Sequence, residues 1–212
     1  MVPTLLGAWL VSQGHCCPRE VSVFAWDQQQ ELVSWLEAYL DDGLPDALVL
    51  MDLAPSLVFA GESEGSLAER WIEAGNAIVW TGAMPFAESI APDGSTSSQG
   101  AIGLDRLLDA APGVGTGAGP EMLLPFARIH LPSLTATNAI HALRLDRLGA
   151  EWRPQRVFAR GELQDSDAVE LRHSSGGGYA QFYCIDEQGL PRAPVLAEFL
   201  LRGPRTHVLP RR

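Results

Sequence analysis

Apolar positions in the first hundred residues switch between two spacings, and the switches mark elements. Val21, Val23 and Phe24 lie in a strand-like stretch over 21–26, while Leu32, Val33, Trp35, Leu36 and Leu40 recur at helical spacing over 28–40. Asp27 is placed to cap that helix, and Asp41, Asp42, Gly43 and Pro45 end it. Residues 47–51, ALVLM, form a continuous apolar run of the kind found in central parallel strands. Leu67, Trp71 and Ile72 then recur at helical spacing with Glu69 and Glu73 on other faces; Gly75 follows, and 77–80, AIVW, reads as another buried strand.

This alternation predicts β-α-β-α-β with short connections, which in nearly all proteins means right-handed crossovers between parallel strands. Later elements are a helix over 101–110 and one over 135–148. Strands over 167–172 and 179–185 follow, joined by the hairpin-like SSGGG at 174–178, and a terminal helix spans 194–201 with Pro194 in its first turn. The polar stretch 91–100, APDGSTSSQG, reads as a mobile surface loop, and 111–120 as a second, glycine-rich one.

With 212 residues, of which 46% are hydrophobic, the chain can bury one substantial core, so a single α/β domain over 1–212 is expected. The apolar stretch 5–11 lacks a basic flank and reads as folded structure. No apolar run is long enough to span a bilayer, so a soluble protein and no membrane partner are expected. A net charge of −11 disfavours nucleic acid and anionic lipid. All fifteen basic residues are arginines, which excludes Schiff-base chemistry, a P-loop lysine and a lysine base. Cys16, Cys17 and Cys184 make neither a CxxC pair nor an even framework, which points to a reducing cytoplasm. His15 beside Cys16 and Cys17 has no spaced second ligand pair, so no metal and no other cofactor is expected.

In parallel α/β sheets ligands sit beyond the carboxyl ends of the strands. That rule selects Asp52 after the first buried strand, and Trp80, Thr81, Gly82 and Phe86 at the end of the second and in its loop, as candidate ligand-binding residues. No residue is assigned a catalytic role. Gly61-Glu62-Ser63-Glu64-Gly65 matches the GxSxG nucleophile elbow, with His173 or His207 as the later histidines for a base. Two glutamates flanking Ser63 would oppose an oxyanion, and an N-cap role for Ser63 or Ser66 explains the pattern more simply.

The string LAERWIEAGNAIVWTGAMPF, with DALVLMDLAPS before it and GGGYAQFYCID and PVLAEFLL late in the chain, resembles bacterial domains of the class I glutamine amidotransferase-like superfamily. That resemblance implies a flavodoxin-like, three-layer sandwich: a mainly parallel sheet with helices on both faces. Active members use a cysteine on an elbow with histidine and glutamate. The loop here, Thr81-Gly82-Ala83-Met84, offers no cysteine. The expectation is therefore a non-catalytic module that binds a small molecule or a protein partner. The alternatives are an α/β hydrolase-type enzyme using Ser63 and a nucleotide- or sugar-binding enzyme using Asp52.

Overall fold

The computed structural model describes residues 8–14, 17–62, 64–109, 119–137, 141–182 and 192–201. Strands β1 (Ala8–Gly14) and β2 (Cys17–Phe24) form a hairpin, followed by α1 (Gln29–Tyr39) and β3 (Asp46–Met51). Asp27 does not cap α1. A 3-10 turn over Trp26–Gln28 precedes the helix, and it is the Gln28 Oε1 that accepts the Ala25 N–H, at 2.9 Å. The short β4 (Ala54–Pro55) leads to α2 (Leu67–Glu73), where Ser66 closes a capping box: its Oγ accepts the Glu69 N–H and Glu69 returns a bond to the Ser66 N–H. Such a cap contributes about 1 kcal/mol.

Next come β5 (Ala77–Thr81), β6 (Glu88–Ile90), β7 (Thr96–Ser98) and α3 (Ile102–Leu107). The stretch 91–100 is thus no mere loop. Its β7 pairs with β6 while all three of its residues stay exposed, and a strand wet on both sides carries no apolar pattern to read. Beyond lie β8 (Met122–Leu123), α4 (Pro125–His130) and β9 (Leu143–Arg144). The helix expected over 135–148 does not form: Leu143 pairs with Ser166, and Leu145–Arg147 is a 3-10 turn. The chain finishes with β10 (Trp152–Val157), β11 (Ala159–Arg160), β12 (Asp165–Ser166), β13 (Ala168–His173), β14 (Gly178–Phe182) and α5 (Arg192–Leu201).

Seven strands make the main sheet, in the order β10-β13-β14-β5-β3-β1-β2. Only β5 is parallel to both its neighbours, β3 and β14; every other pairing in this sheet is antiparallel. The expected three-layer, mainly parallel flavodoxin-like sheet is therefore not what forms. The cause lies in two hairpins. Segment 8–14 inserts as β1 between β2 and β3, so β2 points along β3 but never touches it, and the SSGGG turn reverses β13 onto β14. The remaining short strands pair as β4-β6-β7, β11-β8 and β12-β9.

Alternation along the parallel strands sends side chains to two apolar clusters. Leu48, Leu50, Ile78, Trp80 and Tyr179 join Leu32 and Leu36 of α1, Trp71 and Ile72 of α2 and Leu104 of α3. Val49, Val79, Ala180 and Phe182 join Ala127 of α4 and Val195 and Phe199 of α5. Burying a large apolar side chain stabilises by roughly 1.5–3 kcal/mol, so these stripes dominate the fold.

One buried region is polar. The Gln181 amide donates to Asp167 Oδ1 and His141 O at 2.9 Å each and accepts from the Tyr179 hydroxyl at 3.0 Å; Glu121 Oε1 accepts the Asp167 N–H at 2.8 Å. Burial, aided by Asp165, pushes the Glu121 carboxyl up to about 7. Burial and the neighbouring Glu121 raise Asp167 well above its usual range. Carboxyls that hold protons more tightly folded than unfolded stabilise the fold below their unfolded value, and that contribution fades as pH rises through the folded value. The melting temperature is therefore expected to fall between about pH 5 and pH 8, and Glu121→Gln to flatten that slope and raise stability at pH 8. A thermal melt series across pH checks both.

Candidate functional site

At the carboxyl end of the parallel strands the structure brings the five sequence-selected residues together. The Asp52 N–H donates to Thr81 O at 3.1 Å, and Asp52 Oδ1 accepts the Ala83 N–H at 2.8 Å. Asp52 sits at φ 62°, a left-handed conformation that aspartate tolerates through local bonds of this kind, and Gly82 sits at φ 114°. Trp80 is buried and its indole N–H donates to Ala83 O at 2.8 Å; Phe86 is buried against it, ring centroids 4.7 Å apart. Thr81 is buried as well. These side chains brace a loop. A space of about 20 Å³ near this end is lined by Met51, Leu53, Pro55 and Ile90, not by Asp52, Thr81 or Gly82.

The opposite end of the same strands is open. A cleft of about 380 Å³ lies among the segments that precede β3, β5 and β14, lined on its polar side by Glu73, Glu151, Arg153, Arg172, His173 and Ser175. Ligand pockets begin at about 300 Å³, so this space is of the right size for a small molecule.

Local structure explains the lining. Because β13 runs antiparallel to β14, its last residue, His173, arrives at the amino end of the parallel strands, and the turn that follows places Ser175 there too. Trp152, the register partner of His173, opens β10 and packs on the imidazole with ring centroids 4.9 Å apart. Glu151 precedes it. His173 Nε2 lies 3.1 Å from Glu151 Oε2 and Nδ1 lies 2.8 Å from Ser175 Oγ. The turn is seated tightly: Ser175 Oγ donates to Ile72 O at 3.0 Å, and the Gly178 N–H donates to Asn76 O at 3.0 Å.

Sequence reasoning selected His173 as a base for Ser63, but missed Glu151 and Ser175. Ser63, His207, Cys16 and Cys184 lie outside the described residues. Serine two residues after a histidine, ahead of three glycines, was the one local signal available for Ser175; Glu151 left none, because its pairing depends on the β10-β13 register. Among the described residues no group of histidine, cysteine, aspartate or glutamate is arranged to hold a metal ion, and no helix is long and apolar enough to cross a membrane.

No family model matches the chain, and neither a curated protein nor a solved structure matches it.

A Cβ on Gly177 would stand 1.9 Å from Ile72 O and 2.7 Å from Asn76 O, both backbone atoms that cannot yield without moving the helix end. Gly177→Ala is therefore expected to destabilise by roughly 1–3 kcal/mol and to open the His173 turn. Denaturant unfolding, with the His173 ring resonances followed by NMR, reads both effects.

Proposed function

We propose that the chain is a small-molecule-binding domain whose ligand seats in the cleft at the amino ends of β3, β5 and β14. The observation that carries this is the cleft itself: about 380 Å³ lined by Arg153, Arg172, Glu73, Glu151 and His173 beside Trp152. Arg153 and Arg172 are cross-strand partners in register, so their charge suits a carboxylate or similar anion. Glu73 and Glu151 suit hydrogen-bond donors on the same ligand. A small zwitterion or hydroxy acid combines both features. The Thr81-Gly82-Ala83-Met84 loop offers no thiol for amide hydrolysis. At that loop, moreover, Asp52 accepts a backbone N–H, which favours the cleft over the carboxyl-end edge.

Isothermal titration with a panel of amino acids and hydroxy acids tests this. A binder is expected whose affinity falls roughly tenfold or more in Arg153→Ala, the loss of a charged hydrogen bond, and is unchanged in Asp52→Ala. Binding abolished by Asp52→Ala in a folded protein but untouched by Arg153→Ala would place the ligand at the other end.

A further inference from the structure

Ser175 Oγ has three polar neighbours, and they fit two protonation states of one relay. His173 Nδ1 lies at 2.8 Å, Ile72 O at 3.0 Å, and the Gly177 N–H donates to the hydroxyl at 3.4 Å. A carboxylate only accepts, so the contact between Glu151 and His173 Nε2 puts the proton of a neutral imidazole on Nε2. Nδ1 is then an acceptor, taking the Ser175 N–H at 3.3 Å and facing the serine hydroxyl. When the imidazole is charged, Nδ1–H donates to Oγ and the hydroxyl proton turns to Ile72 O. Two members of the relay come from elsewhere in the chain, Ile72 from 103 residues away and Glu151 from 22 away. The arrangement is therefore built by the fold and not by the turn alone.

We propose that Ser175 is a nucleophile activated by His173, with Glu151 as the positioning residue, and that the cleft hydrolyses small carboxylic esters. The inference rests on the cleft being the ligand site. Oγ attacks the ester carbonyl carbon as its proton passes to Nδ1, and the carbonyl electron pair moves to the oxygen. Collapse breaks the bond to the leaving alkoxide, which takes the proton from Nδ1 and departs as alcohol, leaving a seryl ester. Water then attacks that ester, giving its proton to Nδ1; Oγ is expelled, recovers the proton, and the carboxylic acid is released. The sum is ester plus water to acid plus alcohol. The side chain of Glu151 is 68% accessible, so its support for the imidazolium is weaker than that of a buried carboxylate and an easily expelled leaving group suits the site.

The test treats the full chain with a fluorophosphonate probe, maps the adduct by peptide mass and follows p-nitrophenyl acetate hydrolysis. Label is expected on Ser175, lost in Ser175→Ala, and slowed at least 100-fold in His173→Ala. Glu151→Gln, at an exposed position, is expected to keep the melting temperature and slow labelling by lowering the maximal labelling rate rather than the probe's apparent affinity, with Glu151→Asp restoring part of the rate. The other charged groups around the imidazole, Glu69, Glu73, Asp109, Arg153 and Arg172, stay in place in that variant. Wild-type protein that takes no label on Ser175, or Glu151→Gln protein that labels as fast as wild type, would overturn the proposal. The titration panel separates the two readings: a ligand that binds in an unlabelled protein removes only the nucleophile, whereas no ligand and no label removes both.

Discussion

Asn76 ties together the starts of the three parallel strands, and the rest of the sheet is arranged around that knot. Its Oδ1 accepts the Asp46 N–H at 2.9 Å, which fixes the first residue of β3; its carbonyl accepts the Gly178 N–H, which fixes the first residue of β14; and it immediately precedes β5. Ala47, Ala77 and Gly178 consequently stand in register across the strands. A buried backbone N–H left without a partner costs roughly 1–3 kcal/mol, so this one residue, through its side chain toward β3 and its carbonyl toward β14, aligns strands that are remote in sequence. Close packing of Gly177 on Ile72 O follows from the same knot, because any side chain there would push β14 away from it.

The polarity of the flanking strands sets where polar chemistry collects. In a sheet wound from parallel strands, the loops beyond the carboxyl ends carry the ligand. Here β13 is antiparallel, so the β13-β14 turn falls at the amino ends and delivers His173 and Ser175 there, and β10 adds Glu151 and Trp152 beside them. At the carboxyl ends, by contrast, the loop after β5 is closed on itself: Asp52 Oδ1 accepts the Ala83 N–H and the Trp80 indole donates to Ala83 O. The buried acids Glu121 and Asp167, joined by the Asp167 N–H on Glu121 Oε1, form a third polar region to which Gln181 donates at Asp167. There low pH strengthens the fold.

Elements whose identity is written in local spacing were legible in the sequence. The runs that became β3 and β5, the Ser66 cap of α2 and the turn between β13 and β14 all announce themselves within a dozen residues. What spacing does not encode is which strands become neighbours. The insertion of β1 between β2 and β3 reverses the sheet's character on that side, and nothing in residues 21–51 reports it. The same limit governs the sites. Asp52, Trp80, Thr81, Gly82 and Phe86 were found together because two parallel strands end together, whereas Glu151, His173 and Ser175 meet on Ile72 only after long-range pairing. Glu121 and Asp167, 46 residues apart, were invisible for that reason.

Site-resolved amide hydrogen exchange in Asn76→Ala is the most direct measurement of whether this knot organises the cleft. Protection at Asp46, whose acceptor is the Asn76 side chain, is expected to drop, with less loss at Gly178, whose acceptor is the Asn76 carbonyl, while the Ala83 amide at the far end keeps its protection. Unchanged protection at Asp46 in the folded variant, or equal loss at Ala83, would show that the start of β3 is aligned by something other than the Asn76 side chain.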